Sequence, residues 1–174
     1  MRRLIGALVL LTIVVLAFLN ESQRSDQPTG SSASIDPMAE VVAIEELLNR
    51  FHQAASEADL ETYFGCLTAD ALFVGTDATE VWSVDEFRAY TEPYFSEGRG
   101  WTYTATRRQM STLTPGSWQF YEALENEKYG SLRGSGAVIE TPEGWRISQY
   151  VLSFAVPNDA TPGLLEAIAA LASD

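Results

Sequence analysis

The sequence predicts an α+β domain, and three observations carry the prediction. Helical stretches with a 3.6-residue apolar period come first, between residue 38 and about residue 98. Four long strand candidates follow: Trp101–Leu113, Ser117–Asn126, Ser131–Glu140 and Trp145–Val156. The links between the last three pairs are short and end in glycine: Thr114-Pro115-Gly116, Lys128-Tyr129-Gly130 and Thr141-Pro142-Glu143-Gly144. Links of this length join antiparallel neighbours, and helices followed by such a sheet form an α+β pattern.

Asp36-Pro37 opens the first helix near Met38, because proline suits the first helical position. Val41, Ile44, Leu48, Phe51 and Ala55 form its apolar stripe, widened by Val42 and Leu47, with His52 at the edge. Asp59 caps a second helix, Leu60–Leu67, which Thr68-Ala69-Asp70 ends. Ala71–Val74 reads as a short strand, and Gly75-Thr76-Asp77 turns the chain. Ser83-Val84-Asp85-Glu86 is a capping box, and the helix it starts carries Val84, Phe87, Tyr90 and Tyr94 past Pro93 to near Gly98. Thr161-Pro162-Gly163 breaks the chain again before a short helix, Leu164–Ala172. That helix is expected to pack on the domain or on a second subunit.

Three segments carry a family resemblance: Leu72–Phe87 (LFVGTDATEVWSVDEF), Trp118–Glu140 (WQFYEALENEKYGSLRGSGAVIE) and Trp145–Asp159 (WRISQYVLSFAVPND). In this order they resemble the SnoaL-like branch of the nuclear transport factor 2-like superfamily, over residues 38–159. The resemblance implies a cone-shaped half-barrel, with N-terminal helices packed on a curved antiparallel sheet around an internal pocket. It leaves activity open, since the superfamily hosts isomerases, cyclases, dehydratases, binding modules and dimerisation domains.

The 174 residues carry a formal net charge of −13, and residues 1–35 contribute +1 of it. A domain this acidic repels nucleic acid and anionic lipid head groups, so no nucleic-acid partner is expected. Cys66 is the only cysteine and His52 the only histidine. No disulfide, zinc-site spacing or cofactor motif follows from such a set, and Cys66, within Tyr63-Phe64-Gly65-Cys66-Leu67, reads as a small buried hydrophobe.

Arg2-Arg3 precedes the apolar run Leu4–Leu19. Its 16 residues lie between a signal-peptide core and a full span, and no good cleavage site follows. Residues 1–20 are therefore expected to be a membrane anchor or signal segment, with 4–19 the only membrane contact. The positive-inside rule then puts the domain on the extracytoplasmic side of a bacterial inner membrane, or secretes it if the segment is cut. Residues 21–37 read as a flexible linker, 38–159 as the domain and 160–174 as the C-terminal helix.

Strand alternation places Trp118, Phe120, Glu122 and Leu124 on one face. A carboxylate among such neighbours needs a cation. Arg133, in Arg133-Gly134-Ser135-Gly136 on the next strand, is the expected partner, as a register-fixing salt bridge or as part of a ligand site. The glycines admit close approach or a bulge. In the last strand Trp145, Ile147, Gln149 and Val151 share one face. Both faces are apolar over Val151–Val156, so a homodimer through the sheet is expected. Trp82 and Trp101 flank the third helix and could line a pocket. The pocket candidates are thus Glu122, Arg133, His52, Trp82, Trp101, Trp118, Phe120 and Gln149, for a small apolar or carboxylated ligand. The expected role is ligand binding or structure. The alternative is a small acid–base enzyme of isomerase, cyclase or dehydratase type, with Glu122 or His52 facing one of Tyr103, Tyr121 or Tyr150.

Overall fold

The computed structural model describes residues 37–171, so the anchor, nearly all of the linker and the last three residues lie outside the described part. Pro37 starts helix α1, Pro37–Glu57, and the buried positions Ile44, Leu47, Leu48, Phe51, Ala54 and Ala55 define one face of it. Val42, expected to widen that face, is exposed. Helix α2 spans Leu60–Gly65, with the Asp59 side chain accepting from the Thr62 amide. Strand β1, Leu67–Val74, begins four residues earlier than the sequence suggests, and a short strand β2, Val81–Ser83, pairs back on it. Ser83 and Glu86 close the capping box at the start of α3, Val84–Phe95.

Four long strands complete the sheet: β3 Thr104–Thr114, β4 Ser117–Asn126, β5 Gly130–Thr141 and β6 Gly144–Phe154. Gly116, Gly130 and Gly144 take positive φ at the three turns between them, a conformation open to glycine at little cost. The strand order is β2-β1-β6-β5-β4-β3, with β1 parallel to β6 and the other pairs antiparallel. The sheet is curved and does not close, giving the half-barrel expected of the α+β cone, though mixed rather than purely antiparallel.

The helical face and the inner sheet face share one core. Its buried sheet residues are Leu67, Ala71 and Phe73 from β1 and Trp118, Phe120, Leu124, Leu132, Val138, Ile147, Tyr150 and Leu152 from the long strands. Each fully buried large aliphatic or aromatic side chain contributes about 1.5–3 kcal/mol. Two bulges decide which side chains point inward. An extra residue at Thr106 interrupts the β3–β4 ladder, and one at Ser148 interrupts β5–β6. Each reverses the inside–outside alternation beyond it.

The C-terminal helix α4, Thr161–Leu171, follows a 3-10 turn at Asn158–Ala160. Leu164, Leu165, Ile168 and Leu171 are all exposed, so of the two expected partners, the domain and a second subunit, the domain is not what covers this face. Among the described residues no helix is long and apolar enough to cross a membrane.

Candidate functional site

A cavity of about 880 Å³ lies between the helices and the inner sheet face. Its wall is largely aromatic. The rings of Tyr150, Phe73, Phe87, Trp82 and Tyr90 form a near-parallel series, with interplanar angles of 8° for Tyr150–Phe73, 12° for Phe73–Phe87, 10° for Trp82–Phe87 and 23° for Trp82–Tyr90. The series runs from buried Tyr150 to Tyr90, which is 45% exposed. Trp101 and Tyr63 meet edge-on at another part of the lining. Charged side chains that line the cavity include Arg99, Lys128, Glu80 and Glu127.

Against this apolar lining sits one polar network, centred on Glu122. Its carboxylate is 0% exposed. Oε1 accepts from Arg108 Nε at 2.6 Å. Oε2 lies 2.8 Å from His52 Nε2 and accepts from the Tyr150 hydroxyl at 3.0 Å. Arg108 is anchored in turn by Asn49 Oδ1, 2.5 Å from Nη1, and approached by Glu45 Oε2 at 3.5 Å. His52 and Tyr150 line the cavity; Glu122 lies behind them. Burial pushes the Glu122 carboxyl up, but the hydrogen bond to His52 and the charge and hydrogen bond of Arg108 hold the group below its ordinary value. Tyr150 is pushed well up, by burial first and then by the Glu122 charge it donates to. Tyr103, also in the lining, is pushed up to about 12, chiefly by burial.

The structure brings together four of the expected site residues. Glu122, His52, Trp82 and Trp101 lie in or directly behind the cavity. Trp118 and Phe120 share the inward face with Glu122 but do not line the cavity: the Trp118 indole donates to Glu40 at 2.6 Å, and Phe120 packs 5.7 Å from the Tyr150 ring. Arg133 does not pair with Glu122. It stands opposite Ala123, exposed on the outer face, while Gly134 stands opposite Glu122. Gln149 is likewise exposed, because the bulge at Ser148 turns Tyr150 and Leu152 inward instead. Tyr150, rather than Tyr103 or Tyr121, is the tyrosine that meets the carboxylate.

Arg108 is the member that strand alternation misses. Ala105 faces inward, so an unbroken strand would turn Arg107 in; the extra residue at Thr106 puts Arg108 there. The adjacent pair Arg107-Arg108 is the one trace of it in the sequence, since either could answer a buried carboxylate. Cys66 Sγ donates to the Thr62 carbonyl at 3.3 Å, and burial raises its thiol, which suits a packed side chain and not a nucleophile. Among the described residues no three His, Cys, Asp or Glu side chains are grouped to hold a metal ion.

Comparison with known proteins agrees with this fold. The model of a family described as SnoaL-like domain matches residues 44–157. A proposed aromatic ring hydroxylase from Novosphingobium aromaticivorans superposes with a TM-score of 0.61 at 16% identity, covering 71% of this chain and 94% of its own. A proposed dehydratase of the nuclear transport factor 2-like family from Streptomyces avermitilis gives 0.59 at 16% identity, over 70% and 100%. A proposed scytalone dehydratase from Novosphingobium aromaticivorans gives 0.60 at 11% identity, over 69% and 87%. No curated protein matches the chain.

Proposed function

This chain belongs to the SnoaL-like family of the nuclear transport factor 2-like superfamily, and from that premise we propose that it binds a small, largely apolar molecule in its aromatic cavity. The observation that carries this reading is the near-parallel ring series on one wall, with His52 and Tyr150 as polar contacts where it ends. Parallel rings offer stacking area to a flat molecule, and a few placed polar groups orient it. A thermal-shift screen of flat apolar and carboxylated compounds tests the proposal on wild type and Trp82→Ala. A ligand at a hundred times its Kd adds about 2.7 kcal/mol. The expected result is a stabilising compound whose effect Trp82→Ala weakens; stabilisation by nothing in the screen, or equally in the variant, counts against the cavity as a binding site.

A second reading, proton transfer, is favoured by the His52–Glu122 bond. A carboxylate that fixes one imidazole nitrogen leaves the other able to exchange a proton with a bound molecule. Deuterium uptake from heavy water into a ligand found by the screen tests it: uptake with wild type and none with His52→Gln is expected. Equal uptake in both would leave binding alone. The tethered placement of the domain outside a bacterial inner membrane rests on Arg2-Arg3 and the run Leu4–Leu19. Protease treatment of spheroplasts, whose outer membrane has been opened, should digest the domain and tests that placement.

A further inference from the structure

We infer that Arg108 is a positioning residue that keeps His52 an uncharged imidazole with its proton on Nε2. Glu122 carries a fully buried charge, which must be balanced. Three side chains reach it, Arg108, His52 and Tyr150, and only Arg108 is charged at every accessible pH. Its Nε takes Oε1 at 2.6 Å, and its side chain is itself only 8% exposed. With that pair complete, a charge on His52 would be an additional buried charge. The uncharged ring instead donates Nε2–H to Oε2, beside the Tyr150 hydroxyl.

The groups facing His52 are Glu122 from β4 and Tyr150 from β6, with Arg108 from β3 beyond Glu122 and Glu45 of α1 on the far side of Arg108. Glu45 is 3.5 Å from Arg108 and 44% exposed, so solvent screens its pull. Asn49 fixes the guanidinium from the same helix that carries His52, three residues away. Nδ1 makes no hydrogen bond to a described residue, and His52 lines the cavity. An uncharged His52 therefore offers a lone pair at Nδ1 to an O–H, N–H or acidic C–H of a bound molecule, which an imidazolium does not. This use of His52 rests on the cavity being a ligand site; the charge state itself does not.

The experiment is nitrogen NMR of the full chain with 15N-labelled histidine. His52 is the only histidine in the sequence, so its two ring nitrogens give the only imidazole signals. Near neutral pH the wild type is expected to carry one ring proton, on Nε2. In Arg108→Gln, which takes away the cation paired with Glu122, the ring is expected to gain a second proton under the same conditions, and in Asn49→Ala, an exposed change that frees Nη1, a smaller share of the rings should do so. Two ring protons in the neutral wild type, a lone proton on Nδ1, or folded variants whose ring signals match the wild type would overturn the assignment. Should Arg108→Gln not fold, the wild-type spectrum and Asn49→Ala decide the matter. No ligand enters the measurement, so its failure leaves the binding proposal standing, and an empty ligand screen leaves the assignment standing.

Discussion

Gly134 lies under the hydroxyl of Tyr150, so closely that a methyl group on it would stand 2.2 Å from Oη and 2.9 Å from Glu122 Oε2. The Tyr150–Glu122 bond therefore depends on the missing side chain of a third residue. Gly134→Ala should force the phenol off the carboxylate and destabilise by about 1–3 kcal/mol, the usual effect of overpacking. Urea unfolding measures this, and adding Tyr150→Phe, which removes the colliding oxygen, should recover part of the loss. A Gly134→Ala protein as stable as wild type would mean that the phenol does not occupy this place.

Removing the carboxylate is expected to be worse than crowding it. Glu122→Ala leaves Arg108 buried without its counter-charge and takes a partner from both His52 and Tyr150. Breaking a buried pair from one side costs about 3–5 kcal/mol. Glu122→Gln keeps the shape and an accepting oxygen and should lose less. The ordering Ala below Gln below wild type in denaturant midpoint is the expected outcome, and equal midpoints for all three would take the network out of the stability of the fold.

The same carboxylate sets a pH dependence whose sign follows from its lowered pKa. Glu122 in the folded chain stays ionised below its ordinary value of 4.5. The unfolded chain therefore takes up this proton first as the pH falls. Its contribution is fully present above about pH 4.5 and is lost as the pH drops through the lower folded value. Melting temperatures followed from pH 6 downward should fall in wild type and fall less steeply in Glu122→Gln. Asp59, Asp77 and Glu86 are also held low, by their capping and turn hydrogen bonds, and remain in both proteins, so the difference isolates Glu122.

Much of this architecture is legible in residue patterns, because the patterns are local. The capping box at Ser83, the glycine turns and the inward alternation of Trp118, Phe120, Glu122 and Leu124 each involve neighbours in the chain. The family, too, can be read from three such segments. What could not be read is set by irregularities without a signature. One extra residue at Thr106 exchanges Arg107 for Arg108, and one at Ser148 exchanges Gln149 for Tyr150. A buried glutamate announces that a cation is needed, but which arginine supplies it depends on register. The parallel pairing of β1 with β6 joins segments more than seventy residues apart and has no local trace either.

A homodimer through the sheet remains a proposal, and the bulges decide which side chains the outer face would offer to it. Tyr121, Ala123, Ser135, Ala137, Ile139 and Val151 are half-buried and point away from the inward row of Glu122, Leu124, Val138 and Leu152. At the centre Ala137 lies between the uncharged Gln119 and Gln149, while Arg107 and Arg133 flank Ala123 at one end and Arg146 stands opposite Ile139 at the other. Small and β-branched side chains allow two such sheets to approach face to face, and an interface core is depleted of charge in this way. Ala137→Arg puts a guanidinium at the middle of the patch without touching the cavity. Sedimentation at tens of micromolar should show a dimer for wild type and a monomer for Ala137→Arg, both folded. A wild type that sediments as a monomer would refute the dimer, and a variant that remains dimeric would place the interface elsewhere.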